Sequence, residues 1–219
     1  MNKVTKRTGS PEEKKPQKLT KRQLQARETK NKIYSSAVKI INQKGYNNVS
    51  IEDITSDANV AKGSFYTYFE SKEALVFYTF KQSDEVYEKA FAKVEDETFP
   101  DMVIHFVKMS YQEYEKRGKG IIKAMVSNYF SFPDYNFYSE DRMLLQCMRR
   151  IVTKGKEQGA LAADVSTKKY VNMLLSTLIG VEVMWCLDDQ SNSLADMIED
   201  AVKITASGMM KTTENLNNN

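Results

Sequence analysis

The 219-residue sequence lacks most of the patterns that enzymes and metalloproteins use. It has one histidine, His105, which excludes a multi-histidine metal site. It has two cysteines, Cys147 and Cys186, which lie in helical patterns and do not form a disulfide framework. No glycine-rich phosphate loop follows a strand pattern, and no nucleophile elbow is present. We therefore predict that the protein is not an enzyme and holds no cofactor or metal.

Two further absences bear on the fold and the location of the protein. No alternation of apolar and polar residues with a period of two persists, which predicts that there is no β-sheet. No apolar run is expected to be long enough to span a membrane, and the N-terminus is charged rather than typical of a secretory signal. The sequence therefore predicts an all-α protein in the cytoplasm, with no membrane partner.

Positive charge is concentrated at the N-terminus. Residues 1–32 contain eleven Lys or Arg and three Asp or Glu, a net charge of +8, whereas the remaining residues carry −5. This asymmetry indicates a nucleic-acid footprint at one end of the molecule. Residues 1–19 have too few apolar groups to fold and are predicted to be a flexible basic tail. Two interpretations of this tail stay open: a terminus without a role, or a basic arm that adds phosphate contacts.

Residues 50–75, SIEDITSDANVAKGSFYTYFESKEAL, have the pattern of two short helices joined by a tight turn and followed by a third helix. Ser50 and Asp53 have the spacing of a capping box, and Asn59 tolerates the left-handed backbone that a tight turn needs. Phe65 and Phe69 lie four residues apart on the apolar face of the second helix, which leaves small, hydroxyl-bearing and cationic residues on the other side. Such a unit fits the major groove of DNA.

Hydroxyls, ammonium groups and backbone N–H groups at helix starts are the donors that bind phosphates. The predicted phosphate contacts are Thr29, Ser50, Tyr66, Tyr68 and Lys72. Gly63 has no side chain and lets the backbone approach the duplex closely. The predicted contacts to base edges are Lys62, Ser64 and Thr67.

The order of these residues resembles the DNA-binding signature of the TetR/AcrR family of bacterial transcriptional regulators. The resemblance rests on the sequence Val-Ala-Lys-Gly, an aromatic pair around one residue, a Phe, and Ser-Lys-Glu-x-Leu at residues 71–75, and it covers about the first third of the chain. Two residues depart from the family pattern: Asn59 stands where Gly is usual and Tyr68 where His is usual. The alternative, a generic helical hairpin, leaves the aromatic and Lys-Gly residues on the polar face unexplained.

The rest of the chain is predicted to be helical, giving about nine helices in all. The expected helices begin near Thr20 or Thr29, at Ser50, after Asn59, at Ser71, near Pro100, at Gly120 (ending at Pro133), near Asn136 (to Gln158), at Asp164 or Ser166, and at Ser193 (to about Met210). This pattern predicts a three-helix helix-turn-helix DNA-binding domain at 20–72 and a helical ligand-binding and dimerisation domain at 73–211. The polar tail, 212–219, is predicted to be disordered. The family resemblance implies a homodimer formed through the last two helices.

Candidate ligand contacts lie in the C-terminal part. They are His105, Phe106, Tyr129, Phe130, Phe137, Glu182 and Trp185. Glu182 shares an apolar helix face, so its carboxylate is expected at an exposed rim, in a pair, or waiting for a cationic ligand. The aromatic segment 129–138 is either core or the wall of a ligand site, and His105 suits a structural role as well as a ligand contact. Redox sensing by Cys147 or Cys186 would need a lowered thiol pKa.

Two functions from different classes stay open. The first is a sequence-specific DNA-binding transcriptional regulator, a repressor that binds a palindromic operator on double-stranded DNA as a homodimer. A small-molecule effector would release it by favouring a dimer geometry that no longer fits DNA. The alternative is a DNA-bound scaffold whose C-terminal domain binds a protein partner instead of a small molecule.

Overall fold

The computed structural model describes residues 20–129, 139–188, 190 and 192–211. Within these ranges the chain forms helices and no named strand, which confirms the all-α prediction. The helices are α1 (Lys21–Lys44), α2 (Ile51–Asp57), α3 (Lys62–Tyr68), α4 (Lys72–Val94), α5 (Asp101–Glu115), α6 (Lys119–Ser127), α7 (Met143–Glu157), α8 (Thr167–Leu187) and α9 (Leu194–Met209). The predicted tails at 1–19 and 212–219, and the candidate residues Phe130 and Phe137, lie outside the described residues.

Side-chain caps fix where several helices begin. The hydroxyl of Thr20 accepts from the backbone N–H of Gln23 while the Gln23 side chain accepts from the Thr20 backbone, so the helix begins at Thr20 and not at Thr29. Ser166 caps α8, which settles the choice between Asp164 and Ser166, and Ser193 caps α9. Each cap satisfies a backbone donor that the first turn of a helix leaves free.

The first three helices and the start of α4, residues 20–75, form a unit that we call the head. Its core consists of side chains with 0% exposure: Ile33, Ala37, Ile41, Ile54, Phe65 and Leu75. These come from all four helices of the head, and α1 packs on both α2 and α3. Helix α3 has only seven residues and is marginal on its own, and the packing of its one buried residue, Phe65, into this core stabilises it.

The remaining helices, residues 76–211, form a larger bundle that we call the body. Helix α9 packs on α5 and α8, and α4 packs on α5, α6 and α7. Because α4 begins in the head and continues to Val94, it connects the two units covalently. Helix α6 contacts both α1 and α8, which gives a second connection that does not depend on chain continuity.

A close contact joins α1 to the start of α6. The Asn42 Nδ2 donates to the Arg117 carbonyl over 2.7 Å, and the Ile121 backbone N–H donates to Asn42 Oδ1 over 3.2 Å. A Cβ added at Gly120 would lie 2.7 Å from the Asn42 Cα and 2.8 Å from the Ile41 carbonyl oxygen. Only glycine therefore permits this approach of the two backbones.

Three predictions about the body were wrong. Helix α7 begins at Met143 instead of near Asn136, because a turn closed by the Arg142 N–H on the Ser139 carbonyl, and an extended backbone at Arg142, precede it. Helix α6 ends at Ser127 instead of at Pro133, because the Asn128 side chain donates to the Ala124 carbonyl at the last turn.

The third correction concerns α8. This helix is long and apolar enough to cross a membrane by length and composition, whereas the sequence was expected to contain no such run. The same criteria are met by core helices, and α8 packs against α6, α7 and α9 and carries the buried, charged-type residue Glu182. Packing against other helices therefore accounts for part of its apolar composition, since 44% of the apolar window is buried.

Candidate nucleic-acid interface and internal cavity

The turn and helix at residues 58–68 present a polar face to solvent. Asn59 has a φ of +52°, the left-handed conformation that the sequence predicted for the turn between α2 and α3. Phe65 and Phe69 are buried, with 0% and 4% exposure, whereas Tyr66 between them is 51% exposed. The two phenylalanines thus anchor α3 to the head and leave the opposite face accessible to a large partner.

Three of the predicted phosphate contacts line one surface groove of about 400 Å³. They are Ser50, Tyr66 and Lys72, which come from the α2 cap, from α3 and from the first turn of α4. The groove also contains acidic residues that the sequence analysis did not consider: Glu52, Glu70 and Glu73. A polyanion bound here would contact hydroxyls and an ammonium group, and would also meet repulsion from these carboxylates.

The predicted base-contacting residues are exposed or half-buried at the start and middle of α3. The Lys62 ammonium forms an ion pair with Glu52, and this contact lowers the pKa of Glu52 and raises the pKa of Lys62. The Thr67 hydroxyl donates to the Gly63 carbonyl over 3.2 Å, and Ser64 is half-buried. In the free protein Lys62 is therefore already paired, so reading a base would require it to exchange one partner for another.

Lys72 contacts protein atoms as well as lining the groove. Its Nζ donates to the carbonyls of Tyr46 and Val49, over 2.8 and 2.7 Å, and lies 4.2 Å from the Tyr46 ring centroid. An ammonium group has three N–H donors, so one remains for a phosphate. These bonds hold the start of α4 against the segment before α2, a structural role that the sequence analysis missed.

Ser50 and Thr29 also bond within the protein. The Ser50 hydroxyl donates to Asp53 over 2.6 Å, and hydrogen bonds from Ser50 lower the pKa of Asp53 to about 2. Thr29 is half-buried on α1, and its hydroxyl donates to the Gln25 carbonyl over 3.0 Å. Tyr68 is half-buried against the head core. The Ser50 and Thr29 hydroxyls each have one hydrogen, so each would have to leave its present acceptor in order to donate to a phosphate, and the predicted phosphate contacts stay predictions.

Lys30 is a head residue that the sequence analysis overlooked. Its Nζ lies 4.0 Å from the Tyr78 ring centroid and 5.4 Å from the Phe69 ring centroid. Partial burial, followed by the nearby Lys81, lowers the pKa of Lys30. Lys30 lies on α1, Phe69 directly follows α3, and Tyr78 lies on α4. No local sequence pattern therefore indicates this contact between a cation and two aromatic rings.

A second candidate site is a cavity of about 40 Å³ inside the body. Its lining is mostly aromatic and aliphatic, with two charged-type residues: Phe80, Tyr87, Tyr111, Tyr114, Tyr129, Arg142, Leu144, Leu175, Leu178, Ile179 and Glu182. The Glu182 carboxyl accepts from the hydroxyl of Tyr111 over 2.6 Å and from that of Tyr129 over 2.5 Å. Burial raises the pKa of Glu182, and the two hydroxyl bonds oppose this shift.

The cavity contains two of the predicted ligand contacts, Tyr129 and Glu182. The expected exposure of Glu182 at a rim was wrong, because the residue is 6% exposed and accepts hydrogen bonds from Tyr111 of α5 and from Tyr129 in the turn after α6. Phe106 is fully buried beside Tyr87, with ring centroids 6.2 Å apart, and does not line the cavity. Tyr111 was not predicted as a ligand contact, because it lies 71 residues from its partner Glu182 in the sequence.

Two other predicted ligand contacts lie away from the cavity. His105 is an exposed residue whose Nδ1 lies 2.7 Å from a Glu97 carboxylate oxygen. Trp185 is buried, its indole N–H donates to the Asn192 carbonyl over 2.8 Å, and Lys119 lies over its ring. Neither residue is among those that line the cavity. Their contacts are those of structural side chains.

The two cysteines do not have the environment of redox sensors. Both are buried, and burial raises the pKa of each thiol, Cys147 and Cys186, to about 11. A reactive cysteine needs a lowered pKa, because the thiolate is the species that reacts. The shift is therefore opposite to the one that thiol sensing requires.

Residues 33–79 match the sequence profile of the family described as bacterial regulatory proteins, tetR family. The regulator YuxN of Bacillus subtilis, an uncharacterised helix-turn-helix protein, is 39% identical over 62 residues, which are 28% of this chain and 20% of YuxN. The match thus spans about a fifth of that relative's length. The matched family profile covers the head from residue 33 onward, which contains every predicted DNA contact except Thr29.

Two further similarities extend over most of the chain. The fatty acid metabolism regulator protein of Bacillus subtilis is 22% identical over 198 residues, covering 81% of this chain and 93% of that protein. The crystal structure of FadR from Bacillus subtilis in complex with stearoyl-CoA superimposes with a TM-score of 0.64 at 18% identity, covering 81% of this chain and 98% of FadR. At this identity the superposition shows that the fold is shared.

Proposed function

We propose that this chain is a member of the TetR family of bacterial regulatory proteins, and that it is a repressor that a small molecule releases from a palindromic DNA operator. The observation that carries the proposal is the polar outer face of α3, where Tyr66 is 51% exposed between two buried phenylalanines. In the proposed assignment, residues 20–72 bind DNA and residues 73–211 bind the effector and dimerise. A regulator of this kind acts in the cytoplasm.

The proposed dimer uses α8 and α9. Their outer faces carry large exposed apolar side chains: Met173 (43%), Met184 (61%), Leu187 (70%) and Ile204 (77%). Met173 and Ile204 line a surface depression of about 740 Å³, together with Thr177 and Thr205, whose hydroxyls lie 3.0 Å apart. A twofold contact on this face would bury the apolar groups and place two copies of α3 in successive major grooves.

The proposal is tested by fluorescence anisotropy with promoter fragments from the neighbourhood of the gene. Lys62→Ala should weaken binding by about tenfold and alter base preference, because lysine can donate to guanine. Tyr66→Phe should weaken operator and random DNA alike, since it removes a phosphate donor. The control Lys89→Ala removes a lysine of a weak surface ion pair in the body and should have no effect. No binding to any fragment in dilute buffer would reject the proposal.

A second candidate function, the DNA-bound scaffold with a protein partner, is favoured by one observation. The cavity of about 40 Å³ is far smaller than the roughly 300–1,000 Å³ of a drug-sized ligand pocket. Under this alternative the cavity stays closed, and small molecules that bind the body have no effect on DNA affinity. Under the first proposal, at least one compound raises the melting temperature and weakens operator binding in the same experiment.

A further inference from the structure

The carboxyl of Glu182 is buried among aromatic and aliphatic side chains. It is 6% exposed, and its hydrogen-bond partners are hydroxyl groups of two tyrosines, not cations. Among the described residues, no ion pair includes Glu182. A carboxylate without a cationic partner is costly to bury, and the hydrogen bonds from the two tyrosines offset only part of that cost.

The other charged-type residue at the cavity is directed toward a different partner. The Arg142 Nε lies 3.4 Å from Asp84 Oδ1, and its guanidinium lies 5.3 Å from the Phe80 ring centroid. Asp84 therefore contributes to balancing the positive charge of Arg142, whereas no cation of the described ranges forms an ion pair with the carboxyl of Glu182. The cavity wall beside it is aromatic, with Tyr111 and Tyr114 packed edge to face at 5.6 Å.

We propose that this cavity binds the positively charged nitrogen of a lipophilic amine or quaternary ammonium compound, an inference that rests on the proposed function. Aromatic rings attract such cations through their negative faces, and a carboxylate supplies the counter-charge. The bound cation would pair with Glu182 while its alkyl or aryl groups contact Leu175, Leu178 and the tyrosine rings. The ligand thus removes the cost of the buried carboxyl, which is one source of its affinity for the folded protein.

Entry of a ligand requires the walls of the cavity to separate. A volume of about 40 Å³ is close to the share of one water molecule in the liquid, about 30 Å³. The wall residue Tyr114 lies under the guanidinium of Arg117, 5.4 Å from the ring centroid. The Arg117 side chain donates to Ser83 of α4, and its carbonyl accepts from Asn42 of α1. Movement of this wall would therefore be transmitted to both connections between the body and the head.

The alternative to a cationic ligand is a neutral acyl chain, as in the stearoyl-CoA complex of the similar FadR structure. Methylene groups packed against Glu182 would leave its carboxyl without a counter-charge. The proposed site therefore distinguishes between ligands of similar size by their charge. The inference can therefore be tested with two compounds that have the same shape and differ only in charge.

The experiment is calorimetric titration of the full-length protein with phenyltrimethylammonium and with tert-butylbenzene, its neutral isostere. The wild-type protein should bind the cation more tightly than the isostere. In Glu182→Gln, affinity for the cation should fall by about tenfold or more and affinity for tert-butylbenzene should change by less than about twofold. The matched control is Glu113→Gln, which removes an exposed carboxylate on α5, outside the cavity, and should leave both affinities unchanged. If Glu182→Gln fails to fold, Glu182→Met provides the same comparison.

Equal binding of cation and isostere by the wild-type protein would overturn the inference, as would a preference that persists in Glu182→Gln or the absence of any heat from phenyltrimethylammonium. Parallel anisotropy measurements separate this inference from the proposed function. Release of DNA by stearoyl-CoA, with no binding of the cation, would overturn the cation site and leave the ligand-responsive repressor standing. Binding of the cation through Glu182, with no DNA bound under any condition, would support the cation site and reject the repressor.

Discussion

The head and the body place their polar side chains in opposite environments. In the head, Tyr66 and Lys62 are exposed, and Lys62 pairs with Glu52 only ten positions away. In the body, Glu182 is buried, and its partners Tyr111 and Tyr129 lie 71 and 53 positions away in the chain. In the two proposed assignments, the site for a large external partner is built from residues close together in the sequence, whereas the site for a small enclosed ligand needs residues from distant elements.

The largest expected effect is a loss of stability from a substitution in the core of the head, which leaves the outer face of α3 unchanged. Phe65→Ala should destabilise the protein by about 3–5 kcal/mol, because the side chain has 0% exposure and its removal leaves a cavity in the head core. Tyr66→Ala is the neighbouring control: it should leave the melting temperature nearly unchanged and weaken DNA binding. Chemical denaturation followed by circular dichroism measures both variants. Equal destabilisation by the two substitutions would contradict the assignment of inner and outer faces to α3.

The second prediction breaks the contact between the two units. Gly120→Ala should destabilise the protein by about 1–3 kcal/mol, since the added Cβ would lie 2.7 Å from the Asn42 Cα and neither backbone can move away cheaply. The control, Gly180→Ala, adds a methyl group in α8 with no atom within 4 Å and should not destabilise the protein, because alanine favours the helix. Thermal denaturation compares them. A melting temperature of Gly120→Ala equal to that of the wild-type protein would show that α1 and α6 can separate without cost.

Features of the fold that depend on neighbouring residues could be predicted from the sequence, and features that depend on distant residues could not. The helix starts at Thr20, Ser50 and Ser193 and the left-handed turn at Asn59 were predictable, because each depends on residues a few positions apart. The start of α7 was not, since it depends on a turn at 139–142 that no cap or glycine marks. Likewise, the sequence placed Glu182 on an apolar face but could not show that tyrosines from other parts of the chain enclose it.

The third prediction uses the pH dependence of stability in the body. Burial raises the pKa of Glu182 above its ordinary value of 4.5, so the folded state holds a proton that the unfolded chain has lost. Stability therefore falls as pH rises from about 4.5 to the folded-state pKa and then remains at the lower level. The titratable and charged groups around Glu182 are Arg142, Cys186 and the tyrosines of the cavity. Burial raises the pKa of Tyr111 and Tyr129 well above 10 and the pKa of Cys186 to about 11, so none of these three groups titrates in this range.

Glu182→Gln should consequently melt at a higher temperature than the wild-type protein, with a gain on the order of 1 kcal/mol at pH 8 that shrinks toward pH 5. The measurement is differential scanning calorimetry across this range without ligand. Glu113→Gln, whose carboxylate is exposed and paired with Lys116, is the control and should show no such widening gain. A gain that is the same at pH 5 and pH 8 would mean that the Glu182 carboxyl has equal proton affinity in the folded and unfolded chains.

The smallest expected effect tests the outer face of the head. In the free protein Glu52 holds the Lys62 ammonium in an exposed ion pair, and it also lines the groove that contains Ser50, Tyr66 and Lys72. Glu52→Gln removes a negative charge from this surface and frees Lys62, so operator affinity should rise by about two- to tenfold while the melting temperature stays unchanged.

Glu85→Gln, which frees Lys89 in the body, is the matched control and should not alter DNA binding. Anisotropy titrations at two salt concentrations measure the change, which should be smaller at the higher salt because screening weakens repulsion between Glu52 and phosphate. An unchanged or lower affinity of Glu52→Gln would indicate that the carboxylate positions Lys62 for base contact instead of competing with DNA for it.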